Sequence, residues 1–422
     1  MRQIVKSVAT ASLGNLLEWY DFGLFASFSL LFAHLFFPKE APYVALIEIF
    51  GVYALGFVCR PLGSILFGLM GDRYGRVKTL RASIFVMSLP TILIAFVPTY
   101  AMAGVWAPIL LMSLRLLQGV SLGGEFTGVI IYLAETAPSK HRAFLTSFAG
   151  TIANLGFLLA GIVAALLVHI LSPLHFQEYG WRLAFFMGGA IGGLIFWTQR
   201  RLHETGVFLS MQATRSSEEG DSFWMVLKTT WRSMCLTVGL AMLGAVLYYM
   251  SFVYLFSLLQ ELGRPKSEVY ILQTGFLILM LILVPIGGVL CDYWGRRKSF
   301  LMVAGGVFIF ALPALHLLLS GHLPEILLGL LILVVLSSLE QGTTSITVVE
   351  QFPARMRYAG LSFSYNMTQV LFGGTAPMIA AYLSFMKQNA LGPALYLMCI
   401  AAGTFWCSML FLKQLPPLSL RR

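Results

Sequence analysis

The sequence predicts an all-α integral membrane protein, with twelve transmembrane helices in two pseudo-symmetric six-helix bundles. Three observations predict it. The first is composition: of 422 residues, 58% are hydrophobic and only 11% charged, and the mean hydropathy is +0.82. A water-soluble domain cannot hide that much apolar surface, so the bilayer is part of the solvent. The second is the recurrence of apolar runs of roughly 20 residues between short polar loops. The third is an internal repeat, with one copy in each half of the chain.

In chain order, the first six spans read as 8–36, 43–71, 79–97, 104–134, 143–171 and 183–200. The second six read as 231–260, 268–291, 299–320, 324–350, 358–386 and 391–413. Several exceed the minimum length, which implies tilt or extension beyond the bilayer. The longest polar stretch, RRLHETGVFLSMQATRSSEEGDSFW at 200–224, divides the spans six and six. The expected organisation is an N-terminal bundle at 1–200, a cytoplasmic central loop at 201–230, and a C-terminal bundle at 231–422.

The repeat is exact at several positions. After the second span comes GLMGDRYGRVKTL, and after the eighth GVLCDYWGRRKSF. Both read G-x-x-x-D-x-x-G-R, 220 residues apart. A second pair, ETAPSKHR and EQFPARMR, follows the fourth and tenth spans, with Glu, Pro and Arg matched at an offset of 215. Six spans separate the copies and six is even, so the halves are parallel repeats about an axis along the membrane normal. Such architecture puts a substrate cavity between the halves, near the midplane.

The net charge of +10 records topology and does not indicate nucleic acid. One side of the membrane carries Arg2, Lys6, Arg73, Arg76, Lys78, Arg81, Lys140, Arg142, the central loop, Arg296 to Lys298, Arg355, Arg357 and the C-terminal tail. The other side holds Lys39, Arg182, Arg264, Lys266 and Lys387, while Arg60 and Arg115 fall within spans. By the positive-inside rule both termini are cytoplasmic, in a multi-pass protein of the inner (plasma) membrane. No cleavable signal peptide is read, because an h-region would not contain Glu18 and Asp21. The five cysteines lie in apolar segments without a CxxC pair and read as packing residues.

Ionisable residues inside a membrane are functional candidates, since each costs at least ~2.5 kcal/mol at the bilayer centre if left facing lipid. The set is Glu18, Asp21, Arg60, Arg115, Glu125 and Glu340; Glu48, Glu135 and Glu350 sit nearer span ends and are discounted. Asn15, Glu18 and Asp21 share a flank of the first helix. Arg115, Gln118, Leu122, Glu125 and Tyr132 form a polar stripe on the fourth. Arg115 and Glu125 are about 15 Å apart along the axis, so each needs a partner on another helix or a ligand. Arg115 lies level with Asp21, and Glu125 nearer Glu18 and Arg60. Two readings follow: an Arg115–Asp21 pair, or Arg115 freed to hold a substrate carboxylate in its fork. Arg60 serves as a charge partner, or simply bridges helices. Glu18, Asp21 and Glu125 are the proton-coupling candidates, because three acids face two arginines.

In the C-terminal half the polar content is Glu340 with Thr343, Thr344 and Thr347, and an arc of Ser362, Tyr365, Asn366 and Gln369. Tyr248, Tyr249 and Phe252 add aromatic surface on the seventh span, suited to a quaternary ammonium beside a carboxylate or simply to packing. Tyr248, Tyr249, Tyr365, Asn366 and Gln369 join Arg115, Asn15 and Gln118 as substrate-binding candidates. Nothing resembles a Walker loop, zinc spacing, haem motif or nucleophile elbow, so neither an enzyme, a metal site nor a cofactor is expected.

The stretches ASLGNLLEWYDF, RPLGSILFGLMGDRYGR, WAPILLMSLRLLQGVSLGGEF, GWRLAFF and FPARMRYAGLSFSYN…FGG carry a resemblance that covers nearly the whole chain. Together with the paired loops they resemble the major facilitator superfamily, and within it the metabolite:proton symporter family, whose members include proline/betaine and α-ketoglutarate transporters. The resemblance implies the major facilitator fold. It also implies proton-coupled uptake, by alternating access, of a small carboxylate-bearing metabolite: a zwitterionic osmolyte or amino acid, or a di- or tricarboxylate. It gives the paired loops the role of a cytoplasmic gate, here Asp72, Arg73, Gly75, Arg76, Asp292, Gly295, Arg296, Arg142 and Arg357, with Asp72 meeting the start of the eleventh span near Arg357. Partners are then the substrate, protons and the bilayer, with no nucleic acid, and a monomer is expected. Proton-coupled efflux of a small organic solute, or a non-transporting receptor of the same fold, is the alternative reading.

Overall fold

The computed structural model describes residues 2–37, 52, 56–213, 222–386 and 391–412. Most of the first part of the second span with Glu48, the residues Lys39 and Lys387, part of the central loop and the C-terminal tail lie outside the described residues. The described chain is helical almost throughout. Nine of its helices are long and apolar enough to cross a bilayer, and a tenth span is the pair Lys6–Ser27 and Ser29–Phe36, bent by 66°. Ser27 and Ser29 mark that bend, their hydroxyls donating back to Gly23 O at 2.8 Å and Ala26 O at 2.9 Å. The two remaining spans of the expected twelve are also helical. The second is described as Arg60–Tyr74. The eleventh runs as Arg357–Thr368 and Ala376–Met386, with a wide turn at Gln369–Gly373 between them.

The chain forms two compact units, Met1–Glu135 with Ile152–Phe223, and Thr136–Thr151 with Trp224–Arg422. The start of the fifth span thus belongs with the second unit. Inside the units the helix pairings repeat. The third span, Arg76–Ile94, packs on the sixth, Trp181–Gln199, as the ninth, Arg296–Leu319, packs on the twelfth, Gly392–Phe411. The second packs on the fourth, Arg60–Tyr74 on Trp106–Leu122, as the eighth packs on the tenth, Lys266–Trp294 on Leu323–Val349.

Without a hydrophobic drive between helices in lipid, close approach relies on small residues. Gly63 and Gly123 are such a crossing: a methyl on Gly63 would overlap the Val120 carbonyl, and one on Gly123 would overlap Arg60 O and Ser64 N. An aromatic cluster fills the other end of the first unit. Phe32 meets Trp181 edge-on at 5.3 Å and stacks on Phe185 at 5.8 Å. Large apolar side chains such as Leu62, Leu66, Ile282 and Trp406 remain exposed, as a lipid-facing surface requires.

Candidate functional site

Within the first unit, Asp21 is the hub of a buried polar cluster. Its Oδ2 pairs with Arg115 Nη1 from Trp106–Leu122. Its Oδ1 accepts Gln118 Nε2 at 2.8 Å and Thr91 Oγ1 at 3.2 Å. Gln118 Nε2 also donates to Thr91 Oγ1 at 2.8 Å. Arg115 and Gln118 are three residues apart on one helix face, so one acid on the first helix reaches both. The Arg115 guanidinium lies 3.8 Å from the centre of the Phe25 ring, a cation–π contact shielded from water. Both members of the pair are buried, and removing either would strand a charge in a low dielectric.

One turn earlier, Glu18 Oε1 stands 4.0 Å from Arg60 Nη2, a looser pair, and Glu18 Oε2 has no hydrogen-bond partner among the described residues. Arg60 is held by aromatic rings, its guanidinium 4.3 Å from the centre of Phe57 and 5.4 Å from that of Phe22. Glu125 follows the Gly123–Gly124 break and opens the helix Glu125–Thr136. Its Oε2 accepts the Ser83 hydroxyl, its Oε1 has no hydrogen-bond partner among the described residues, and its carboxyl lies against Gly14. Asn15 is fully buried on the first helix beside them in sequence. The structure therefore joins Asp21, Arg115 and Gln118 directly, sets Glu18 beside Arg60, and gives Glu125 a hydroxyl in place of a cation.

In the second unit, Glu340 is buried on Leu323–Val349, accepts the Thr344 hydroxyl, and lies against Gly244 of Phe223–Tyr249. Among the described residues no cation pairs with it. Tyr248 faces Phe252 at 5.0 Å between ring centres and Tyr249 edge-on at 5.7 Å. Two wide π-helical turns, Met250–Tyr254 and Gln369–Gly373, approach each other, since a methyl on Gly373 would meet the Tyr249 ring. Such turns expose backbone and recur at functional sites. Asn366 Nδ2 donates to Ser362 O at 2.8 Å, Gln369 is buried in the second wide turn, and Tyr365 is half-buried.

The residues of the paired loops form two matching assemblies, one in each unit. In the first, Arg76 donates from Nε and Nη2 to Glu135 at 3.3 and 3.2 Å, and from Nη1 to Asp72 at 3.3 Å. In the second, Arg296 donates from Nε and Nη2 to Glu350 at 3.2 and 3.3 Å, and from Nη1 to Asp292 at 3.0 Å. Gly75 and Gly295, with φ of 112° and 85°, make the turns that precede these arginines. Asp292 also accepts the backbone N–H groups of Ala143 and Phe144, at 3.0 and 2.9 Å, where the helix Arg142–Ile170 begins. Arg142 is half-buried at that helix start, and Arg357 is buried with Nε donating to Phe352 O at 3.2 Å. Arg73 stays exposed over the Tyr74 ring.

Sequence reasoning passed over Glu135 and Glu350 as span-end acids. The signal was present, because both belong to the repeat at offset 215. It also missed Glu204, whose two oxygens accept the Arg76 and Val77 N–H groups at 3.1 Å each, and Thr205, which donates to Glu135 at 2.6 Å. These carry no periodic signature in a polar loop.

The family model of the Major Facilitator Superfamily matches residues 12–373 and, in a second match, residues 234–422. The chain belongs to the Major Facilitator Superfamily. The proline/betaine transporter of Escherichia coli (strain K12) is 35% identical over 407 residues, covering 94% of this chain and 81% of that one. A glycine betaine/proline/ectoine/pipecolic acid transporter of Dickeya dadantii (strain 3937) is 34% identical over the same shares of both chains. Among solved structures, a proton:xylose symporter bound to 6-bromo-6-deoxy-D-glucose superposes with a TM-score of 0.77 over 98% of this chain and 96% of that one. At 17% identity that likeness speaks for the fold alone. As a superfamily member with bacterial transporter relatives, the chain is a transporter and a multi-pass inner-membrane protein that handles a small molecule. These relatives give no indication of an enzyme.

Proposed function

We propose that this transporter is a proton-coupled symporter that takes up a small carboxylate-bearing metabolite by alternating access. The observation that carries the reading is the buried Arg115–Asp21 pair with its Gln118 and Thr91 bonds. An arginine paired with an internal carboxylate can exchange that partner for the carboxylate of a substrate. Asp21, Glu18 and Glu125 are the groups that take up and give back the proton, the first two as Arg115 and Arg60 change partner. Asn15 and Gln118 help to seat the substrate, with Tyr248, Tyr249, Tyr365, Asn366 and Gln369 contributing from the second unit. Arg60 acts as the charge partner of Glu18, whereas Glu340, expected in the same role, has no cation beside it among the described residues. The relatives named as proline/betaine transporters support a zwitterionic osmolyte or amino acid ahead of a di- or tricarboxylate.

The bundles are 1–200 and 231–422 about a cytoplasmic loop at 201–230, with both termini cytoplasmic on the basic side. The Asp72–Gly75–Arg76 and Asp292–Gly295–Arg296 assemblies, with Arg73, Arg142 and Arg357, form the cytoplasmic gate of a monomer.

The test is reconstitution into liposomes and uptake of labelled betaine, proline, α-ketoglutarate and citrate, with and without an inward proton gradient. Gradient-driven uptake of one of them is the expected result, and indifference to the gradient for every ligand sinks the symport reading. Arg115→Ala is expected to abolish binding of that substrate, and unchanged affinity would make Arg115 purely structural.

A further inference from the structure

Glu125 and Glu340 are repeat equivalents. They are separated by 215 residues, the offset that relates Glu135 to Glu350. Each sits on the fourth span of its unit and is buried. Each is packed against a glycine of the first span of its unit: a methyl on Gly14 would overlap the Glu125 carboxyl, and a methyl on Gly244 would overlap the Glu340 carboxyl. Those glycines are themselves equivalent. At an offset of 230, Leu13, Gly14, Leu17 and Phe22 match Leu243, Gly244, Leu247 and Phe252. Each carboxyl accepts one side-chain hydroxyl, from Ser83 and from Thr344 respectively. Neither pairs with a cation among the described residues. The surrounding charged pair is not duplicated: Arg115 corresponds to Leu330, and Asp21 to Ser251.

We infer that Glu340 is a second proton-carrying residue, the symmetry partner of Glu125, so that each transport cycle moves two protons, one through each half. The inference rests on the symport reading above, and goes beyond it in giving Glu340 a proton and the carrier a stoichiometry.

The environment of Glu340 supports this. Along its own helix the other charged side chains are Glu325 in the first turn and Glu350 at the far end, the latter engaged by Arg296. On the packed eighth and ninth spans they are Lys266, Glu268, Asp292, Arg296, Arg297, Lys298 and His316, again toward the helix ends. On the seventh span, Tyr248 and Tyr249 are the titratable groups that follow Gly244 by about one turn. A lone carboxylate placed there is costly, and a proton is the smallest cation that removes the cost. On accepting it, the carboxylate becomes a neutral acid that still fits between Gly244 and Thr344. On releasing it to the opposite side, the charge returns.

The experiment fixes a substrate gradient across proteoliposomes and finds the proton-motive force that nulls net flux, which yields the proton:substrate ratio. The wild-type ratio is expected to be two, falling to one in Glu340→Gln and in Glu125→Gln, with gradient-independent exchange in the double variant. A wild type that ignores the proton gradient sinks the symport reading itself. A wild type that is driven by protons while Glu340→Gln keeps the same ratio overturns only the inference about Glu340. Thr344→Val provides a second handle, because it leaves the acid in place and removes its hydroxyl. It is expected to keep a ratio of two while shifting the external pH at which uptake is half-maximal, and an unmoved profile counts against the inference.

Discussion

Arg76 and Glu135 meet through two parallel hydrogen bonds, 3.3 Å from Nε and 3.2 Å from Nη2, with both side chains wholly buried. Their repeat partners Arg296 and Glu350 use the same two nitrogens, at 3.2 and 3.3 Å, but the Arg296 side chain is 20% exposed. Breaking a buried pair strands a charge, whereas a partly wetted one can be rehydrated. Glu135→Ala is therefore expected to destabilise the protein by about 3 kcal/mol and Glu350→Ala by only ~1 kcal/mol. Thermal unfolding of the purified variants in detergent measures the difference. Equal losses would mean that burial does not set the worth of the pair.

Gly75→Ala and Gly295→Ala both force a side chain into backbone that favours glycine, at a cost of about 1–3 kcal/mol. Gly75 is the worse site, because its added methyl would also overlap the Glu204 carboxylate, while nothing lies within 4 Å at Gly295. Folded yield on expression should fall further for Gly75→Ala, and the reverse order would show that Glu204 simply moves aside.

Glu204→Gln removes a charge that closes the start of the Arg76–Ile94 helix. An amide oxygen still accepts a hydrogen bond, but the attraction to the positive helix end is lost, so a cost of about 1 kcal/mol is expected. The check is chemical denaturation beside Glu204→Ala, which should cost more.

Asp21→Asn leaves Arg115 without its internal anion. If Asp21 competes with the substrate for that fork, carboxylate substrates should bind several-fold more tightly by titration calorimetry, while proton-driven accumulation weakens. A tenfold loss of affinity would instead make Asp21 a contributor to binding.

The sign of the pH response follows from symport. Uptake should rise when the outside is acidified relative to the inside, and should not respond to acidifying both sides equally in the same way. Glu125→Gln is expected to blunt that rise in a flux assay, leaving downhill entry intact. A full response in the variant would remove Glu125 from the proton path.

Much of this is legible in the sequence. Composition and the two repeats led to the fold, because lipid leaves a chain little choice but apolar helices of bilayer length. Helical rise sets Asp21 and Arg115 at one level, which leaves open whether they pair or Arg115 is free for a substrate carboxylate. Three things were hidden. The wide turns at Met250–Tyr254 and Gln369–Gly373 have no residue signature, as one extra residue in a turn costs little and breaks no pattern. The grip of Glu204 on the third span comes from a polar loop, where periodicity carries no information. Glu135 and Glu350 were set aside because an acid at a span end usually faces water, and only folding reveals the arginine opposite each.

The walling-in of one copy has a practical corollary. Around Arg76 the Phe208 ring lies 5.2 Å away, and Thr205 adds a hydrogen bond to Glu135. Mobile ions cannot enter such a space, whereas the Debye atmosphere of physiological saline, about 8 Å deep, reaches a partly exposed pair like Arg296–Glu350. The two matching assemblies are therefore expected to respond differently to added salt, which should weaken Arg296–Glu350 and leave Arg76–Glu135 unchanged.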